Sequence, residues 1–112
     1  MRLEDLIRII DGKFWIEGRL DEAAAFYAGD LLPKAMCAPA KCAWFTVVND
    51  VDAAGAAVLA DMAAIVLCGG AEPDETMLAR CDECGIAVIS TPLDVFSACA
   101  AVGRILLRET II

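Results

Sequence analysis

Three short polar breaks in this chain each follow an apolar run: Asn49-Asp50, Gly69-Gly70 and Ser90-Thr91. Asn and Asp bring an amide and acceptors, Ser and Thr bring hydroxyls, and paired glycines leave backbone N–H groups approachable. If the preceding runs are parallel strands, these groups converge on one edge of a sheet. Helix N-termini there add free N–H donors and a positive dipole end. The chemistry this supports is reversible binding of a small molecule, such as a nucleobase-ribose moiety. Phosphate fits less well. Glu72, Asp74 and Glu75 crowd one helix start, Asp50 and Asp52 another, and Asp94 the third. The competing reading is structural: each carboxylate caps its own helix. Pro73 and Pro92 then occupy first helical positions, and Thr91 with Asp94 approximates a capping box.

Six cysteines offer the other chemistry. Cys37-x4-Cys42 and Cys81-x2-Cys84 could supply four thiolates to zinc or an iron–sulfur cluster. Only one pair has the usual spacing, and free Cys is a common small core residue. Core packing is therefore the expectation, with no metal and no other cofactor. A thioredoxin-type site fits less well still, because Cys81 falls near a helix end rather than a helix start. The chain has no His, so neither a Ser–His nor a Cys–His pair exists. Lys13, Lys34 and Lys41 are isolated, and Asp50/Asp52 or Asp82/Glu83 read as caps or surface charges. No catalytic residue is expected, and the chain reads as a non-enzyme.

The elements that must position these groups follow from periodicity and punctuation. Leu3, Leu6, Ile7, Ile9 and Ile10 sit at helical spacing, and Asp11-Gly12 ends that run. Phe14-Trp15-Ile16 is a short strand candidate. Residues 23–28 suit helix by their alanines and strand by their approach to Gly29-Asp30. Asp30 is placed to cap a short helix through Ala35. Residues 43–48 form an aromatic and β-branched strand, and Asn49-Asp50 start a helix to about Ala60 with alanines on one face. Residues 64–67 and 86–89 read as buried strands. Between them a helix opens at Pro73 and stops at Gly85. The last helix runs from Pro92 to about Arg108, with Leu93, Phe96, Ala100, Val102, Ile105 and Leu106 as its apolar stripe. Residues 110–112 suit either an extra strand or a frayed end. Strands alternating with helices predict an α/β fold: one compact domain over 1–112, with a parallel or mixed sheet of about four to six strands flanked by helices.

The hydrophobic fraction is 60%, more than a 112-residue core readily hides. Either a second copy covers an apolar face or the alanines pack unusually tightly, and a homodimer is the expectation. Trp15, Phe26, Tyr27 and Trp44 suit a core or such an interface equally. The net charge of −8 disfavours nucleic acid and anionic membrane surfaces. No apolar run approaches the ~18 residues of a membrane span. The acidic start, Met1 to Asp5, is unlike a signal peptide, so a cytoplasmic location with reduced thiols is expected.

Order and spacing together resemble the DRTGG-domain family from Leu3 to about Arg104. The matching features are Gly29-Asp30-Leu31, Thr46 at a strand end, and Asp61 to Val66 leading to Gly70 and Pro73. They continue through Gly85-Ile86 and Ser90-Thr91-Pro92 to Phe96 and Ala98-Cys99. The resemblance implies a small α/β domain, often homodimeric, like the N-terminal domain of HPr kinase and the module beside CBS domains in pyrophosphatases. It adds Thr46 to the binding candidates Asn49, Asp50, Gly69, Gly70, Ser90 and Thr91. The family's kinase chemistry belongs to a separate P-loop domain, and this chain has no G-x-x-x-x-G-K-[ST]. The functional expectation is a regulatory or interaction module, partnered by its own copy or another protein. The alternative is a nucleotide-type sensor binding at the carboxyl edge of the sheet.

Overall fold

The computed structural model describes residues 1–111, with side chains described through Arg108. In chain order the elements are α1 (Leu3–Ile10), β1 (Lys13–Ile16), β2 (Ala25–Ala28), α2 (Leu32–Ala35) and β3 (Cys42–Thr46). Then come α3 (Val51–Leu59), β4 (Ala64–Leu67), α4 (Glu75–Cys84), β5 (Ala87–Ser90) and α5 (Val95–Ile111). The strands form one mixed sheet in the order β1-β5-β4-β3-β2. β2 through β5 are parallel, and β1 runs antiparallel to β5.

β3 and β4 are buried at every position, as expected of uninterrupted apolar strands covered on both faces. Their alternation divides the core in two. Trp44, Ile65, Leu67 and Val88 meet α2, α3 and α4 on the first face. Phe45, Val66 and Ile89 meet α1 and α5 on the second. Each step from β2 to β5 advances one strand in the same direction, so same-handed crossovers put α2, α3 and α4 on one side. Ala53, Ala54, Ala56 and Ala57 are fully buried, and their short side chains let α3 lie close to the sheet. Trp44 is wholly buried, with its indole N–H donating to the Gly29 carbonyl at 2.7 Å. It is therefore a core residue, while Trp15, Phe26 and Tyr27 stay partly exposed.

The structure settles the alternatives left open at residues 23–28 and 110–111 and corrects other local expectations. Residues 25–28 are a strand, because β3 offers them a ladder of backbone partners that an isolated alanine helix would lack. Asp30 does not cap α2; its carboxylate turns instead to Thr46 and Val47. Pro73 precedes the α4 cap, which is Asp74. Pro92 likewise lies outside α5, whose first turn is capped by Asp94 accepting from Ser97 N at 2.7 Å. Thr91 and Asp94 thus form no capping box. In the α5 stripe, Phe96 and Ala100 face solvent, while Val95, Ala98 and Cys99 turn toward the core. The helix continues through Ile111, so residues 110–111 add no strand, and Ile112 lies outside the described residues.

Gly18 shows how tightly β1 is seated. A Cβ there would lie 2.5 Å from both Ala87 N and Gly85 O, inside backbone that has no room to yield. Gly18→Ala is expected to destabilise the fold by about 1–3 kcal/mol, the usual cost of overpacking, read as a lower urea midpoint at unchanged slope.

Candidate functional site

Parallel alignment brings the ends of β2, β3, β4 and β5 to one edge of the sheet, and the start of β1 joins them through Lys13 opposite Ser90. The chain leaves β4 for α4 on the first face and β5 for α5 on the second. A sheet opens a crevice where neighbouring connections part in this way, so the β4/β5 ends are the natural binding position. Gly69, Gly70, Ser90 and Thr91 flank that position, and Thr46, Asn49 and Asp50 lie beside it at the end of β3.

Here the groups mostly hold one another. Gly69 N donates to Leu93 O at 2.7 Å and Gly70 N to Thr91 O at 3.2 Å, so both amides already stitch the crevice together. Both glycines have left-handed backbone, with φ of 70° and 78°. Buried Thr91 donates its hydroxyl to the carbonyl of Ile10 at 2.5 Å and accepts from Leu93 N at 3.1 Å. This ties the end of α1 to the β5–α5 turn. Buried Thr46 donates to Asp30 at 2.7 Å and accepts from Val48 N at 3.2 Å. Asn49 donates its amide to Glu72 O at 2.7 Å and accepts through its own carbonyl from Asp74 N at 3.1 Å, joining two loops. Asp50 caps α3 by accepting from Asp52 N. Ser90 accepts from the Trp15 indole at 2.9 Å. Among the described residues, no buried side-chain polar atom lacks a partner.

The edge is acidic, with Asp50, Asp74 and Asp94 each at a helix start. Hydrogen bonds from the backbone and side chain of Ser97 hold the Asp94 carboxyl below the ordinary range. Its cap therefore stabilises above the unfolded pKa and is lost as pH falls through the folded one. Exposed groups that remain presentable to a ligand include Asn49 and the carboxylates, which favour hydroxyl, amine or base N–H partners over phosphate.

Asp30 escaped sequence reading as part of this edge, although Gly29-Asp30 follows an apolar run just as the other three breaks do. Trp15 also escaped it, because only the antiparallel turn of β1 brings that residue to Ser90. Cavities lie elsewhere. One of about 90 Å³ is walled by Leu3, Phe14 and Leu20, and one of about 470 Å³ by Met1, residues 20–24 and Lys41. A groove of about 480 Å³ runs between α1 and α5, past Ile9 and Ile105.

The buried thiols are poor nucleophiles. Burial pushes Cys42, Cys68 and Cys81 up to about 11, and raises Cys99 as well. They stay protonated at neutral pH. Among the described residues, no three His, Cys, Asp or Glu side chains are grouped to hold a metal. Cys37 is exposed, Cys42 and Cys81 are buried and Cys84 is partly buried. No helix among the described residues is long and apolar enough to cross a membrane.

The family model for the DRTGG domain matches residues 5–105, and the chain belongs to that family. Among solved structures, the fold is similar to the CBS and DRTGG domains of the regulatory region of a Clostridium perfringens pyrophosphatase, complexed with its activator diadenosine tetraphosphate. The TM-score is 0.73 at 11% identity, over 90% of this chain and 45% of that one. This chain thus spans less than half of that regulatory region. No curated protein matches.

Two outcomes test this account of the edge. Thr91→Val removes the hydroxyl between α1 and the β5–α5 turn and leaves two backbone groups unpaired. It is expected to cost about 1–3 kcal/mol in chemical denaturation. Iodoacetamide at pH 8 should modify Cys37 first, with Cys42, Cys68 and Cys81 reacting only after unfolding; mass spectrometry of digests reads the order.

Proposed function

We propose that this DRTGG-domain chain is a non-catalytic regulatory module that acts as a homodimer and has no kinase activity of its own. Its membership of the family over residues 5–105 carries the reading. The sequence supports it by lacking both His and a P-loop. The edge supports it too, since its hydroxyls and glycine amides are engaged in holding loops rather than poised for attack. The dimer accounts for part of the apolar excess: Phe96 and Leu107 of α5 are 83% and 61% exposed. On this reading residues 1–112 form one domain in the cytoplasm.

A second reading has one specific observation behind it: the structurally similar regulatory region was captured with a dinucleoside polyphosphate. On this reading a nucleotide-type ligand sits at the β4/β5 end of the sheet, between Gly69-Gly70 and Ser90-Thr91, with Thr46, Asn49 and Asp50 alongside. The acidic helix starts direct base and ribose groups toward the edge and phosphates outward, with divalent cations as mediators.

Thermal-shift measurements with diadenosine tetraphosphate, ATP and AMP, each with and without magnesium, separate the two readings. A ligand at 100 times its dissociation constant adds about 2.7 kcal/mol, which moves the midpoint of a domain this size by several degrees. A shift that Asn49→Ala and Ser90→Ala weaken supports the sensor. A shift indifferent to both removes this edge, and a flat panel leaves the interaction module. Light scattering that finds only monomer at micromolar concentration removes the homodimer.

A further inference from the structure

The helical cover of the sheet is uneven. Three helices pack on the first face and two on the second. On the second face Phe45, Val66 and Ile89 are fully buried, but Phe26 on β2 is only half-buried. Ile105 and Leu106 of α5 line the groove shared with α1. At 100° per residue, Phe96, Ala100, Gly103 and Leu107 fall on the opposite flank of α5, turned toward β2. Phe96 and Leu107 are largely exposed, and a Cβ on Gly103 would meet nothing within 4 Å.

The two edges of the sheet also differ. β1 carries Lys13, folded over Trp15, and an irregularity between Phe14 and Ile16. A lysine and a bulge are common devices that keep an edge from pairing. β2, Ala-Phe-Tyr-Ala, has no charge, no proline and no break in register, and no strand among the described residues pairs with its outer side. In a chain of net charge −8, a surface free of carboxylates opposes self-association least. Residues 24–28 and 95–108 contain none, and the second stretch contributes Arg104 and Arg108.

We infer that two copies pair through β2 and α5 about a single two-fold axis normal to the sheet. This rests on the homodimer reading above and names its interface. The axis sets β2 antiparallel to its mate and joins the two sheets. It also lays the two α5 helices antiparallel across the join. The stripe is self-complementary under that operation: the register that sets Phe96 against Leu107 of the other copy also sets Ala100 against Gly103. Large residues then close the ends while small ones let the helices approach. Three strand spacings separate the two β3 strands, about 14 Å. An offset of a few Å toward β2 brings the helices to the ~8–10 Å of packed pairs. A stable interface needs about 800 Å² per partner, more than one helix stripe supplies. In the proposed pairing the β2 edge and Phe26 extend the contact beyond that stripe.

The test is sedimentation equilibrium of the full chain with three variants, each at an exposed or open position. Wild type is expected to be dimeric at micromolar concentration. Phe96→Glu and Gly103→Glu should each weaken dimerisation at least tenfold with unchanged far-UV circular dichroism. Leu59→Glu, on α3 across the sheet, should leave the dimer intact. Amide exchange in Ala25–Ala28 should slow as wild-type concentration rises. A monomeric wild type overturns this proposal together with the homodimer reading. A dimeric wild type that survives both α5 variants, or dissociates with Leu59→Glu, overturns this interface alone. Exchange in β2 that ignores concentration while the α5 variants dissociate overturns the joined sheet.

Discussion

Strands buried on both faces leave no water for their backbone groups, so every N–H and C=O must find a partner within the sheet, and both faces must be roofed. β3 and β4 impose this condition here, since none of their positions reaches solvent. The crossovers that parallel pairing requires supply α2, α3 and α4 to one face. Alanine at four buried positions of α3 lets that layer sit close, with room in the sheet for an indole as large as Trp44. The other face draws only on the two ends of the chain, α1 and α5, and its cover stops short of β2. The unpaired edge and the exposed flank of α5 both descend from that shortage.

The same parallel alignment gathers the polar breaks. Each crossover leaves the sheet at one edge, so strand ends and helix starts collect there whatever their function. Aspartates at those helix starts satisfy orphan N–H donors, and the threonine hydroxyls and glycine amides cross-link neighbouring loops. A regulatory module benefits from such an edge. Through Thr91, Asn49 and the two glycines, one set of contacts joins the ends of α1, α4 and α5.

Much of the fold was legible from periodicity and punctuation. β4 is read correctly from residues 64–67, Gly85 ends α4 with left-handed backbone as its position suggested, and Asp11 closes α1. The misreadings concern residues whose local role had rivals. Pro92 and Pro73 both suit a first helical turn, yet each stands just outside its helix, because the aspartate one or two residues later is the better cap. Asp30 suits a cap equally well, but Thr46 arrives from β3 as a stronger partner. On α5 a stripe drawn through Phe96 and Ala100 misses the true core face by more than a third of a turn. An amphipathic helix with apolar residues on two flanks does not reveal which flank meets the sheet.

The sequence by itself determined the alternation of strands and helices, the family, and the residues gathered at the carboxyl edge. Those depend on hydrophobic period, turn chemistry and chain order, which are local properties. Tertiary structure alone decided that Gly69 and Gly70 are spent on Leu93 and Thr91, that Asp30 serves Thr46, and that β2 is left as the unguarded edge. Those depend on which distant segments become neighbours, and pairing across the sheet is set by global packing rather than by any stretch of residues read alone.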